Sequence, residues 1–91
     1  MTRKGELWRG DIAQHIDDYF TGSLDLEMLL DWAMEHPFFD DRAELSSDEQ
    51  RVIGNGLGAI LQSDPREPPA TRVTRDQLHG ALNVLWGRRQ V

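Results

Sequence analysis

Three carboxylates, Glu27, Asp31 and Glu35, follow one another at four-residue intervals in the stretch "DLEMLLDWAMEHPFFDD", residues 25–41. A helix turns about 100° per residue, so this spacing sets all three on one face. Like charges placed so repel by about 0.2–0.5 kcal/mol per pair, and no Lys or Arg lies within the stretch to relieve them. Met28 and Trp32 fall beside the acidic row, and Asp40 and Asp41 extend it beyond Pro37. A large aromatic ringed by acids suits a basic protein surface. The ring supplies area to desolvate, and the carboxylates supply steering and charge-assisted hydrogen bonds. The partner-binding set is therefore Glu27, Met28, Asp31, Trp32, Glu35, Asp40 and Asp41. The plainer reading of the same residues is a solvated acidic face, with Trp32 packed inward or against Arg9 or Arg88 from another helix.

Other chemistry finds less support. Hydrolysis needs a nucleophile beside a base, or a carboxylate pair of which one is held in apolar surroundings. Ser23, Ser46 and Ser47 stand where helix caps are expected, and no two carboxylates are isolated among apolar residues. No catalytic residue is assigned, and the chain is expected not to be an enzyme. Its three histidines form no H-E-x-x-H and no repeated Glu-x-x-His, and no calcium-loop spacing occurs. No metal and no cofactor are expected. The absence of cysteine excludes disulfides, thiolate metal sites and a cysteine nucleophile. "GNGLG", residues 54–58, lacks the preceding strand and the Lys-Ser/Thr ending of a phosphate loop. Gly54 and Gly58 share one helix face and read as a place where a neighbouring backbone or a bulky ring comes close. That packing must offset about 1 kcal/mol per glycine relative to alanine.

The elements that would position these residues are all helical. Trp8, Ile12, Ile16 and Phe20 recur every four residues before Gly22, which predicts a helix over about 7–21. A second helix over about 24–36 follows, with Ser23 as N-cap, a core stripe of Leu26, Leu29, Leu30 and Ala33, and Pro37 as its stop. The capping box Ser46-x-x-Glu49 opens a third over about 47–62. Thr74-x-x-Gln77 opens a fourth over about 75–87, with Val73 and Leu78 as a hydrophobic staple. Between the last two, "DPREPPATR", residues 64–72, holds three prolines and is expected to be an extended, stiff linker. The fold expected is all-α: one domain over residues 1–91, built as a small antiparallel four-helix bundle that need not be regular.

Charge is unevenly shared along the chain. Its net charge is −6, yet residues 11–49 carry twelve acids against Arg42 alone, while the segments on either side are net positive. Phosphates would be repelled by such a segment, so direct nucleic-acid binding through it is not expected, whereas a basic protein would be attracted. With 91 residues, 38% hydrophobic and 29% charged, the composition is that of one globular domain. The first residues lack the apolar run of a secretory signal, and no stretch approaches the roughly 18 apolar residues of a membrane span. A cytoplasmic location is expected.

The segment "IDDYFTGSLDLEMLLDWA", residues 16–33, with further helices behind it in an acidic chain of this size, resembles bacterial immunity proteins of the colicin D type. Those are small helical bundles that neutralise a cognate tRNA-cleaving toxin by presenting acidic residues to its basic active site. The resemblance implies that the acidic surface of the second helix acts as the inhibitor and that the partner is a basic nuclease toxin. The alternative of a different class is a structural homodimer or accessory subunit, in which Trp32, Trp86 or the Gly54/Gly58 face makes a subunit contact.

Overall fold

Residues 3–86 are described by a computed structural model of the chain. They form α1 (Arg3–Thr21), α2 (Leu26–Met34), a single turn α3 (Phe38–Asp41) continued by a 3-10 turn (Arg42–Glu44), α4 (Ser47–Gln62) and α5 (Arg75–Leu85). There is no strand among the described residues. The four longer helices are the bundle expected, and residue 87, where the last one was expected to end, lies outside the described residues.

Helix directions follow from which ends meet. Near the start of α1, the Arg9 guanidinium donates to the carbonyls of Leu85 (2.8 Å) and Val84 (3.2 Å) at the end of α5. Near its other end, Phe20 meets His79 and lies under Arg75, both at the start of α5. Those two helices are antiparallel. His15 stacks on Trp32 while Trp8 meets His36 beyond the end of α2, so α1 and α2 are antiparallel too. Arg9 also places a cation at the helix end that favours one.

The core is the set of stripes read from the sequence. Ile12 and Ile16 of α1, Leu29 of α2, Ile53, Leu57 and Ile60 of α4 and Leu78 of α5 are fully buried. Each contributes roughly 1.5–3 kcal/mol relative to exposure. Both capping boxes form as spelled: Ser46 accepts from the Glu49 N–H and Thr74 from the Gln77 N–H, and each Glu or Gln side chain returns a bond to the cap.

Four expectations are corrected. Helix α1 begins at Arg3 rather than near Leu7, because Lys4 pairs with Glu44 at 2.6 Å and Gly5 is buried. Helix α2 is shorter than 24–36, and its N-cap is Asp25, which accepts the Met28 N–H at 2.8 Å, rather than Ser23. The reason lies in how α1 ends. Gly22, at φ 88°, reverses the chain, and the Ser23 and Leu24 N–H groups both return to the Asp18 carbonyl, so residues 23 and 24 belong to the turn that closes α1 and the next helix starts only after them. Segment 64–72 is not extended. The Glu67 N–H bonds the Asp64 carbonyl, the Thr71 and Arg72 N–H groups bond that of Pro68, and the Val73 N–H closes back on Gln62. Pro65 and Pro69 thus each sit second in a turn, the position their fixed φ suits. Lastly, α3 and the 3-10 turn occupy 38–44, where no element was expected.

Of the two glycines expected at a close approach, only Gly54 has one. A Cβ there would lie 3.2 Å from the Phe38 ring, whereas at Gly58 nothing lies within 4 Å. A closer approach is at Gly56, where a Cβ would meet the Leu85 methyls at 3.1 and 3.2 Å and Ile12 at 3.4 Å. Substitution should therefore split by position. Gly58→Ala should raise the unfolding free energy by about 0.5–1 kcal/mol through helix propensity. Gly56→Val should lower it by about 1–3 kcal/mol through overpacking. Urea denaturation of the two variants beside the wild type checks both signs.

Candidate functional site

The outward side of α2 and the corner that follows it hold the residues expected to bind a partner. Leu29, Leu30 and Ala33 turn the helix's apolar stripe into the core, which leaves Glu27, Asp31 and Glu35 exposed on the other side. Met28 is 54% exposed among them, and Met34 is 62% exposed on the far flank of the same helix. Ion pairs formed among the described residues, Lys4–Glu44, Arg51–Asp48 and Arg66–Asp64, include none of Glu27, Asp31, Glu35, Asp40 or Asp41. These carboxylates are acceptors only, suited to cationic donors.

Trp32 is placed differently from a free anchor. It is half-buried, with its ring stacked on His15 at a centroid distance of 3.7 Å and 11° between planes. Arg9 is not its partner, being committed to the α5 carbonyls, and Arg88 lies outside the described residues. The His15 Nδ1 lies 2.7 Å from the Asp11 carbonyl, which can only accept, so that nitrogen carries the proton. The solvated-face reading placed Trp32 inward or against Arg9 or Arg88; the structure half-buries it, with one ring face covered by His15.

Pro37 ends α2 and turns the chain into α3, where the Asp40 and Asp41 N–H groups bond the Pro37 carbonyl. Phe38 folds in, only 5% exposed, with its ring over Gly54, and Phe39 points out at 50%. Asp40 is exposed; Asp41 is half-buried and its charge reaches Lys4. The acidic side of α2 and the α3 acids thus share one corner of the molecule.

His36, weighed in the sequence only as a metal ligand and set aside, holds this corner. His36 is 7% exposed, edge-on to Trp8 at 5.0 Å and to Trp32 at 5.2 Å. Its Nδ1 accepts the Phe38 N–H at 3.0 Å, which fixes the ring as a neutral acceptor on that side. Burial lowers its pKa from 6.5; the Asp11 charge works against that shift and His15 adds to it. A residue just before Pro is biased away from helix, which was the available hint that His36 leaves α2 and turns inward. Arg66, from the turn after α4, was also missed: its guanidinium lies in the field of Glu27 and Asp31. No spacing along the chain could have signalled it, since the approach is made across the fold.

No group of three or more His, Asp or Glu side chains among the described residues is placed to hold a metal ion. No helix among them is long and apolar enough to cross a membrane. Comparison with protein-family models, with curated proteins and with solved structures finds no match to this chain.

The buried His36 makes stability depend on pH. Its folded pKa lies below its unfolded value of 6.5, so both states are neutral above pH 6.5 and the contribution is fully present there. As the pH falls below 6.5, the unfolded chain takes up a proton the folded one refuses. Stability is then lost, by at most about 1.4 kcal/mol per pH unit from this group. His36→Asn keeps an acceptor for the Phe38 N–H and removes the titration. Urea midpoints at pH 7.5 and 5.5 should fall further apart for the wild type than for the variant.

Proposed function

We propose that the protein is a binding module that engages a basic protein partner through the outward face of α2 and the α3 corner, most concretely as an inhibitor or escort of a basic nuclease in the cytoplasm. One observation carries the reading: Glu27, Asp31 and Glu35 stand exposed beside Met28 and Met34, outside the ion pairs formed among the described residues. A partner's Lys and Arg side chains would relieve the repulsion along this row. Methionines on the same helix supply adaptable apolar area, as flexible thioethers do at binding surfaces. Trp32 contributes its half-exposed indole, held in orientation by its stack on His15. Phe39, Asp40 and Asp41 extend the surface around the corner. The resemblance of residues 16–33 to immunity proteins of the colicin D type supports the same direction of charge.

Affinity capture at low salt from the host, eluted in salt steps, tests this with the Glu27→Gln/Asp31→Gln/Glu35→Gln variant beside the wild type. A basic protein should be retained by the wild type and bound roughly tenfold more weakly by the variant, with a flatter salt dependence. Equal retention by both would overturn the reading. If light scattering instead finds a dimer that persists on dilution, with Trp fluorescence unmoved by added basic protein, the homodimer takes its place.

A further inference from the structure

A groove of about 320 Å³ runs between α2 and the turn after α4, at one edge of this face. It is lined by Leu26, Glu27, Leu30, Asp64, Pro65 and Arg66. Leu30 is buried and Leu26 half-buried, so the groove offers apolar surface beneath the carboxylates of Glu27 and Asp64. A cation already occupies its acidic side. Arg66 donates its Nε–H to both Asp64 oxygens at 3.1 Å and an Nη2–H to Oδ2 at 2.8 Å, and its backbone N–H bonds Oδ1 at 2.9 Å. These bonds hold the Asp64 carboxyl below its ordinary pKa, and Glu27 and Asp31 add their fields at the same guanidinium. The Arg66 side chain is nevertheless 83% exposed. The Asp64 side chain is only 17% exposed, so the pair opens to water on its arginine side alone.

We propose that this groove is an arginine-binding subsite of the partner surface, in which Arg66 is an internal stand-in that a partner's arginine displaces. The inference rests on the binding face described above and adds the chemistry it selects. Asp64 meets Arg66 through two different nitrogens of the guanidinium, a forked geometry that an ammonium cannot reproduce. The Leu26 and Leu30 surface suits the methylene stem behind such a head group. With Arg66 swung out, the Glu27 and Asp64 carboxylates that line the groove face the incoming cation, while Arg72, held on the Pro65 and Glu67 carbonyls, stays in the field of Asp64.

The test uses the full chain and two labelled probes, octa-arginine and octa-lysine, titrated at low salt. Octa-arginine should bind more tightly than octa-lysine. Arg66→Ala should tighten octa-arginine binding roughly threefold or more, by removing the competitor. Arg51→Ala removes the same charge from an exposed pair with Asp48 on α4, outside the groove, and should change binding less than about twofold, the general electrostatic effect. In Arg66→Ala/Asp64→Asn the preference for arginine over lysine should vanish. Equal gains from Arg66→Ala and Arg51→Ala, or no preference between the probes, would overturn the subsite. If the triple Gln variant of α2 weakens binding while Arg66→Ala matches Arg51→Ala, the subsite alone falls. If the triple variant binds as the wild type does, the binding face falls and the subsite with it.

Discussion

The missing side chain at Gly56 is the constraint on which the arrangement of helices depends. Only a hydrogen separates the α4 backbone from the Leu85 methyls and Ile12, so α1, α4 and α5 converge on one point. Ile12, Ile53, Leu57, Leu78 and Leu85 close around that convergence. A glycine within a helix weakens the helix itself. In a chain this small, the close approach it permits outweighs that loss, because few other apolar side chains are available to fill a wider gap. Once three helices have closed on each other, α2 lies on the outside of the set. It contributes Leu29, Leu30 and Ala33 to the core and leaves the rest of its circumference in water.

The corner after α2 is a second device of the same kind, made from Pro37, His36 and Phe38. Proline withholds a donor and ends the helix, His36 supplies the acceptor that the Phe38 N–H would otherwise lack, and Gly54 leaves room for the Phe38 ring. Trp8 and Trp32 close over the imidazole from two helices. The acids of α2 and those of α3 are therefore held on a shared edge by aromatic packing beneath them. Position and charge are supplied by different residues, which lets the surface be strongly acidic without the fold depending on how its charges balance.

What was legible in the sequence was local. The capping boxes at Ser46 and Thr74 involve residues three apart, and the apolar stripes repeat within single helices, so the four longer helices, the starts of α4 and α5 and most of the core could be read directly. What escaped was made by residues distant along the chain. Lys4 extends α1 by reaching Glu44, Gly56 shows its role only when Leu85 and Ile12 are beside it, and Arg66 meets α2 only because the Pro65 turn folds back. Ser23 was misplaced as a cap because the reversal at Gly22 keeps residues 23 and 24 in the turn that closes α1. The acidic row could be read as charge, but not as a surface lying against a groove, since no periodicity records what a neighbouring turn brings near.

The clasp between Arg9 and the last carbonyls of α5 has a topological consequence. It sets the beginning of the first helix against the end of the last, so the path of the chain comes round almost to a ring. Packing in such a ring depends on which helices are neighbours and little on where the thread is cut. Opening the ring at the exposed turn around Gly22 would leave the packing of α1, α4 and α5 about Gly56 as it is, since none of those contacts passes through that turn. In that sense the order of the helices along the chain is a record of history, and their neighbourhood is what the physics requires.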